Sequence, residues 1–488
     1  MKNLSFKNRI ATYVIVALSS LVFNFPAFAI DRTTITILFT NDTHDKLVPF
    51  DNKDLKDLGG IARRAEIFKL IRTENPNTLV IDAGDAFQGT PLYSFFKGEI
   101  DMWAMSMAGY DAMALGNHDL DDGLANLKKQ SQYSSFPILC ANVTDKDDLV
   151  IFRPYQIFRF NNIRIAVIGL MGYPAWSSVA LRYTKDLKFH DPVETANKLV
   201  PIVRQYADIV IFLTHNGYQE DIELGEKVAN VDFIVGGHTH TKVDKPVLIK
   251  NKENQNGIAG TLMMQTGWGG MYIGRMDLTI NDNKIESYKG KLIPVTGKNE
   301  IDKKISTYTQ QIDKIVNEEI GEATKTLSVD AKYSGQCPLG TFVTDIMREH
   351  MKVDVAIVNS GGLREELPKG IVTVGQIYKI MPFDNALVVF DWPGKRLKEF
   401  MEENVKRLNK HKTFQFSGIT YKIDENKVTN IKVGNKPLDM NKKYKVVTVD
   451  FVFSGNEDFK FEDTTNVQTT DILLRNIIIE YFRKHKKI

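Results

Sequence analysis

Five times between Thr33 and about Ile280, a short run of β-branched and apolar residues stops abruptly at Gly, Asn, Asp or His. The runs are Ile35 to Asp42, Leu79 to Asp85, Ile163 to Gly169, Ile209 to Asn216 and Val231 to His238. Short apolar runs bounded by such residues are the pattern of strands buried on both faces. Between them, Ile61 to Ile71 and Pro192 to Tyr206 carry apolar residues at helical spacing. Strands alternating with helices predict a layered α/β domain. In sheets of this kind ligands bind beyond the carboxyl ends of the strands, where each run here deposits its polar residues.

The pattern changes at residues 298–320. Ile301, Ile305, Tyr308, Ile312 and Ile315 recur at steps of four and three among charged residues, which predicts an amphipathic helix. It is read as the connector between a first domain over 30–297 and a second over 321–488. In the second, Val353 to Asn359, Ala386 to Phe390 and Tyr444 to Phe451 again read as strands ending in loops.

At the amino end, Lys2, Lys7 and Arg9 precede an uncharged run from Ile10 to Pro26 and the small-residue triplet Ala27-Phe28-Ala29. This is the layout of a signal peptide cleaved near Ala29, and it predicts a periplasmic or secreted protein. An uncleaved anchor is the other reading, but Asn24 and Pro26 interrupt the run before the roughly 20 residues a span needs. No apolar tail closes the chain, so no stable membrane anchor is expected. Without residues 1–29 the 63 basic residues fall to 60, matching 60 acidic ones. Charge balance of this kind argues against a partner that is a nucleic-acid polymer or an anionic membrane surface. With only Cys140 and Cys337, the chain is neither a disulfide scaffold nor a Cys-rich zinc module.

Chemistry concentrates in four stretches of the first half: Asn41-Asp42-Thr43-His44, Gly84-Asp85, Gly116-Asn117-His118-Asp119, and His215 with Gly236-Gly237-His238-Thr239-His240. Five of the nine histidines fall there, which scattered core histidines would not do. If the segments are extended, Asp-x-His and His-x-His place two side chains on one side, within reach of one ion. Imidazoles mixed with carboxylates suit zinc, manganese or iron, zinc or manganese first, better than magnesium or calcium. Two divalent ions roughly 3.5–4 Å apart need a shared carboxylate, and such a pair activates a water and neutralises phosphoryl oxygens. Asp85 is the natural bridge. His118, with Asp121 to hold its tautomer, fits a residue that acts on the transition state without being a ligand. A lone Gly-Asp or Gly-Asn step is ordinarily a turn. It is the conjunction of all these fragments after strands, in one domain, that points to metal chemistry.

In these motifs the chain resembles the calcineurin-like metallophosphoesterases, and more narrowly the 5′-nucleotidase and UDP-sugar hydrolase family. The resemblance covers nearly all of the mature chain. It implies a four-layer α/β/β/α metallophosphoesterase domain followed by a smaller α/β nucleotide-specificity domain, and two divalent ions per chain. It assigns Asp42, His44, Asp85 and His240 to one metal site, Asp85, Asn117, His215 and His238 to the other, and His118 with Asp121 to catalysis. In the second half, Asn359-Ser-Gly-Gly-Leu-Arg364 resembles a substrate loop, with Asn359, Gly361 and Arg364 at the substrate. Phe383 and Asn385 in Pro382-Phe-Asp-Asn385 are expected at the base of a nucleotide. Phe451 is expected on its other face, with Glu457 or Asp458 at the ribose. Three departures stand out: Asp45 replaces a glycine common after Asp-x-His, Tyr333 to Gly340 lacks the arginines common there, and spacing puts Glu457 where aspartate is usual, with Asp458 beside it.

The resemblance implies release of the 5′-phosphate from nucleotides. The alternatives are a UDP-sugar or 2′,3′-cyclic nucleotide hydrolase using the same metals, a sulfur-ester hydrolase, and, from another class, a non-catalytic nucleotide-binding protein.

Overall fold

The computed structural model describes residues 32–488 apart from 52–55, 252–253, 255–256, 298–302, 411 and 425–426. The expected leader over residues 1–29 and the start of the expected connector therefore lie outside the described residues. Two six-stranded sheets make up the first half. One runs, edge to edge, through Lys284–Pro294, Tyr272–Asn281, Thr33–Thr40, Thr78–Asp82, Ala112–Ala114 and Ile138–Leu139. The other runs through Val247–Lys250, Gly260–Met264, Phe233–Val235, Ile209–His215, Ile163–Met171 and Tyr155–Phe160.

Alternation along each strand decides the layering. Ile35, Ile37 and Phe39 share a core with Ile163, Ile165 and Val167 of the other sheet, so these faces meet. The opposite face of the first sheet, with Leu38 and Val80, packs under the helices Ile61–Glu74 and Glu99–Ala108. That of the second, with Ala166, Ile168 and Leu170, packs under Pro192–Val203 and Tyr218–Lys227. The result is helix, sheet, sheet, helix.

The strands that carry the polar runs are parallel to their neighbours: Thr33–Thr40 with Thr78–Asp82, and Ile209–His215 with both Ile163–Met171 and Phe233–Val235. Parallel strands deliver all their carboxyl ends to one edge, which is how residues from Asp42 to His240, far apart in the chain, come to share a site.

The amphipathic segment forms a helix over Lys303–Val316. Its Ile305 and Ile312 sink into the core of the first half, and Tyr308 meets Phe96 edge-on with ring centroids 4.6 Å apart. Beyond it, a mixed five-stranded sheet runs Phe414–Ser417, Val355–Asn359, Lys443–Val449, Ala386–Pro393 and Thr465–Leu473. Helices Pro338–Met351, Gly394–Lys406 and Leu474–His485 cover it around a separate core. No helix of the described residues is long and apolar enough to cross a membrane.

The inter-sheet layer sets the stability of the first half. Phe39 is fully buried and meets Phe233 edge-on at 5.5 Å, so Phe39→Ala is expected to cost about 3–5 kcal/mol. Urea unfolding should show the loss as a lower midpoint, and an unchanged midpoint would show that this face does not hold the sheets together.

Candidate active site

The strand ends are laced together by their backbones. Asp42, His44 and Asp45 donate N–H groups to the carbonyls of Gly84, Asp85 and Ala86 at 2.8–3.0 Å, so the first two loops run side by side. The third loop is pinned by Asp119, whose carboxylate accepts from the N–H groups of Gly116, Asp85 and Ala86 at 2.8–3.1 Å. Gly116 is required at this crossing, since a Cβ there would lie 2.3 Å from the Asp85 nitrogen. Asn41 fixes Asp42 from behind, donating to its Oδ2 at 2.6 Å and accepting from the Thr266 N–H at 2.7 Å.

Asp42, His44, Asp85, His238 and His240 all have left-handed backbones, with φ between 48° and 81°. This corrects the extended geometry expected of Asp-x-His and His-x-His. The side chains converge because tight turns, rather than strand alternation, aim them, and strain of this kind is tolerated where a surrounding hydrogen-bond network fixes it.

Two groups of potential ligand atoms result: Asp42, His44 and His240, and Asp85, His215 and His238, each with its atoms within 4.8 Å of one another. In the first, the Nε2 atoms of His44 and His240 are 3.0 Å apart, and Asp42 Oδ1 lies 3.4 Å from His240 Nε2. In the second, His215 Nε2 is 3.1 Å from Asp85 Oδ2. Asn117 Oδ1 joins this group, 3.0 Å from His238 Nδ1. Asp85 lies in the second group, and its charge also acts on His44 of the first.

The donor set fits divalent cations. His215 Nδ1 faces the Ala83 carbonyl at 2.8 Å and His44 Nδ1 faces that of Gln88 at 3.1 Å. A carbonyl only accepts, so both Nδ1 atoms carry a proton and both Nε2 atoms are left facing the site, the orientation a metal ligand needs. Burial lowers the His215 imidazole, but Asp85 and Asp42 outweigh it and push the group up to about 10, a demand for positive charge beside these carboxylates that a cation would meet. Burial and the neighbouring His240 hold His44 well below the usual histidine range, and burial and His215 bring His238 down to about 3. Both therefore stay neutral.

His118 stands outside both groups. Its Nδ1 is 2.9 Å from Asp121 Oδ2, and its backbone N–H donates to Asp85 Oδ1 at 2.8 Å. Burial lowers its pKa, but Asp121 and Asp85 outweigh burial and leave it above the ordinary value.

Loops of the second half close the site into a cavity of about 620 Å³. The Phe383 ring stacks on His118 at 5.7 Å with an interplanar angle of 23°, and the Arg364 guanidinium lies 5.9 Å from the same ring. Phe451 also lines the cavity, together with Asn359, Gly361, Asn385 and Glu457. Phe453, its neighbour but one, packs against Phe390 and Phe461 in the core. Asn359 Nδ2 donates to Glu457 Oε1 at 2.7 Å. Asp458 does not line the cavity: its backbone is left-handed, φ 53°, and its exposed carboxylate pairs with Nζ of the cavity-lining Lys412 at 2.7 Å. Of the two candidate carboxylates in that loop, only Glu457 faces the cavity.

The cavity also holds residues that sequence reasoning passed over, Lys332, Tyr333 and Trp268 among them. Trp268 lies over His240 with ring centroids 6.1 Å apart. The Gly267-Trp268-Gly269-Gly270 stretch that carries it is a signal that could have marked a tight loop. Ion pairs ring the rim, Lys97 with Asp384 at 3.1 Å and Arg182 with Asp450 at 2.7 Å, joining the two halves.

A layered fold whose strand ends gather two His-and-carboxylate groups beside a carboxylate-paired histidine suits a metal-dependent phosphoester hydrolase. Comparison with known proteins agrees. Residues 35–242 match the calcineurin-like phosphoesterase family and residues 319–464 the 5′-nucleotidase C-terminal domain. The chain is 28% identical to the protein UshA of Yersinia enterocolitica, over 94% of this chain and 92% of that one. It is 29% identical to the 5′-nucleotidase of Vibrio parahaemolyticus, over 93% and 90%. The crystal structure of a 5′-nucleotidase precursor from Thermus thermophilus superposes with a TM-score of 0.84 at 28% identity, covering 93% of this chain and 97% of that one. The chain belongs to the 5′-nucleotidase family of calcineurin-like metallophosphoesterases.

Burial pushes the Glu457 carboxyl up to about 7 from 4.5, against the lowering effect of the Asn359 hydrogen bond. The folded state thus binds this proton more tightly than the unfolded chain. The associated stability is complete below pH 4.5 and is lost as pH rises through about 7. Thermal melts of Glu457→Gln and the wild type should therefore diverge in the variant's favour between about pH 5 and pH 8. A difference that stays constant over that range would remove Glu457 from the pH response.

Proposed function

We propose that the protein is an exported 5′-nucleotidase that releases phosphate from nucleotides bound between its two halves. The observation that carries this reading is the shared cavity: Phe383 of the second half lies on His118 of the first, so a flat ring held at Phe383 stands next to the candidate metal ligands. Asp42, His44 and His240 would hold one divalent ion and Asp85, Asn117, His215 and His238 the other, with Asp85 the carboxylate they would share. Zinc or manganese suits this donor set. When bound, the pair supplies charge neutralisation at the phosphoryl oxygens and a water of lowered pKa.

The remaining steps belong to side chains. Asp121 accepts a hydrogen bond from the Nδ1–H of His118, which leaves Nε2 to donate to the phosphoryl group or the departing oxygen. Arg364 contacts the phosphate, Glu457 and Asn359 take the ribose hydroxyls, and Phe383 and Phe451 enclose the base, with Asn385 at its edge. The relatives named 5′-nucleotidase in two Vibrio species and in Thermus, each similar over nine-tenths of this chain, support the same reaction. A leader over residues 1–29 would deliver the enzyme to the periplasm or the medium.

His118 separates chemistry from metal binding. His118→Ala is expected to lower turnover of AMP by on the order of 10²–10⁴, while metal analysis still finds two ions per chain. Loss of metal would make His118 a ligand, and unchanged turnover would remove it from the reaction.

The base site is tested by contrast. Stacking contributes roughly 1–3 kcal/mol per base, so Phe383→Ala or Phe451→Ala should weaken AMP by about 5–150-fold. p-Nitrophenyl phosphate, which has no base, should be nearly unaffected. Equal losses on both substrates would show that these rings are packing residues and that nucleotides are not recognised here.

A further inference from the structure

Each ring expected to enclose the base has an aspartate beside it in the chain: Asp384 follows Phe383, and Asp450 precedes Phe451. In both, one carboxylate oxygen is bonded within the second half and fixes the segment that carries the ring. Asp384 Oδ1 accepts from Nη2 of the buried Arg475, whose Nη1 donates to the Pro382 carbonyl at 2.9 Å, so one guanidinium grips the chain on either side of Phe383. Asp450 Oδ1 accepts the N–H of Phe451 at 2.7 Å and that of Ala386, next to Asn385, at 3.2 Å.

The other oxygen of each carboxylate meets a cation of the first half. Asp384 Oδ2 accepts from Lys97 Nζ at 3.1 Å, and Asp450 Oδ2 from Arg182 Nη1 at 2.7 Å. Lys97 follows the short helix Pro91–Phe96 with a left-handed backbone, φ 56°, and its N–H donates to the Tyr93 carbonyl at 2.7 Å. Its Nζ also reaches Asp122 Oδ1 at 3.3 Å, and Asp122 adjoins Asp121, the partner of His118. Arg182 lies in the turn Leu181–Thr184, whose first N–H donates to Asn456 Oδ1 of the second half at 3.3 Å, and its guanidinium is 4.9 Å from the Tyr183 ring centroid. Both cations line the cavity. Two segments far apart in the chain thus put a cation on the aspartate next to each ring. Pairs as exposed as these add little to stability, so the gain from repeating them beside both rings lies in placement.

We infer that Lys97 and Arg182 are positioning residues for the base: from the first half they set the segments that carry Phe383 and Phe451, so that the two rings stand at their working separation beside the His118 loop. The inference rests on the nucleotide reading above, and neither cation needs to touch the substrate. Each aspartate is bonded to the ring-bearing segment on one side and to the first half on the other, so a shift of the cation reaches the ring through a single residue. Small misplacements of groups that hold a substrate cost rate out of proportion to their size. The base site is therefore completed across the interface of the two halves. A substrate with a base draws on both pairs, whereas a phosphate ester without one bypasses them.

The test measures phosphate release from AMP and from p-nitrophenyl phosphate by the full-length, metal-loaded enzyme, for the wild type, Lys97→Gln, Arg182→Gln and the double variant. Removing one exposed pair should lower the ratio of kcat/KM for AMP to that for p-nitrophenyl phosphate by about 2–5-fold. Removing both should lower it by about the product of the two, roughly 5–25-fold, because the pairs act on separate rings. The loss should appear in KM for AMP, with kcat at saturation within about twofold of the wild type, since the His118 pair is untouched. Lys97→Arg and Arg182→Lys, which keep the charge, should hold the wild-type ratio within about 1.5-fold. Both substrates are read on one preparation, so a misfolded fraction lowers both rates alike and leaves the ratio intact. An unchanged ratio in the double variant overturns the inference, whether neither substrate falls or both fall together, the second result meaning that the pairs only hold the halves in contact. A wild type that turns over AMP no faster than p-nitrophenyl phosphate defeats the nucleotide reading itself and the inference with it, whereas an unchanged ratio on a wild type that prefers AMP defeats the inference alone.

Discussion

Asp119 holds the active site in register. Its single buried carboxylate accepts the N–H groups of Gly116, Asp85, Ala86 and Phe87, joining the loop that carries Asn117 and His118 to the loop that carries Asp85. Ionised carboxylates accept several such bonds well, and each is stronger than a neutral one. Burial and the nearby Asp85 push the Asp119 carboxyl up to about 7, so its ionised form is unfavourable unless cations or donors surround the pair. That requirement explains why imidazoles, backbone N–H groups and candidate cation sites crowd this edge of the sheets. It also explains why Asp85 can keep a left-handed backbone: the N–H groups of three successive residues are already committed to Asp119.

The fold was legible in the sequence wherever one strand or helix carried the signal by itself. Ile35 to Phe39 and Ile163 to Leu170 could be read as strands buried on both faces, but that a second sheet covers one of those faces came from the family resemblance, because the pattern is the same under a helix. The candidate ligands were legible as residue types, but the reason for their convergence was not. Spacing in Asp42-Thr43-His44 suggested an extended segment, whereas tight turns with φ near 50° aim the side chains. Such turns depend on bonds from Asn41, Gly84 and Asp85 that no local pattern reveals. Asp119 stood within a quoted motif yet showed nothing of its role, because its partners at Asp85 and Ala86 are backbone groups more than 30 residues away.

The second half was legible to a different depth. Phe383 and Phe451 could be picked as aromatic residues in loops, and the cavity contains both. Spacing put Glu457 ahead of Asp458 as the carboxylate for the ribose, and the cavity is lined by Glu457 and not by Asp458, whose left-handed backbone no pattern of residue types marks. Lys332 was invisible as a cavity residue because a lone lysine beside a tyrosine has no pattern, and its setting is supplied by Ser360, Thr413 and Gln415 from distant segments.

The division of labour between the halves has an energetic basis. The buried cluster of the second half is built from residues of Ile320 to Phe482, and none of its members belongs to the clusters of the first half. The halves are joined by the stacking of Phe95 on Tyr378 at 5.4 Å and of Phe383 on His118, by the buried Asn456 side chain, which donates to the Val179 carbonyl at 2.6 Å and accepts from the Leu181 N–H at 3.3 Å, and by ion pairs at the rim. Lys97, Asp384, Arg182 and Asp450 are each 29–41% exposed in their side chains, and pairs of that kind contribute about 0–1 kcal/mol apiece. Each half thus has its own buried core, while their mutual placement rests on a few stacked rings, the Asn456 bonds and exposed ion pairs, far less than either core supplies. A ligand that reaches from Phe383, Phe451 and Glu457 to the groups around Asp42 and Asp85 would contact both halves at once. Its own binding energy would then add to these contacts in holding the halves together, and a substrate fragment lacking either end would lose that contribution.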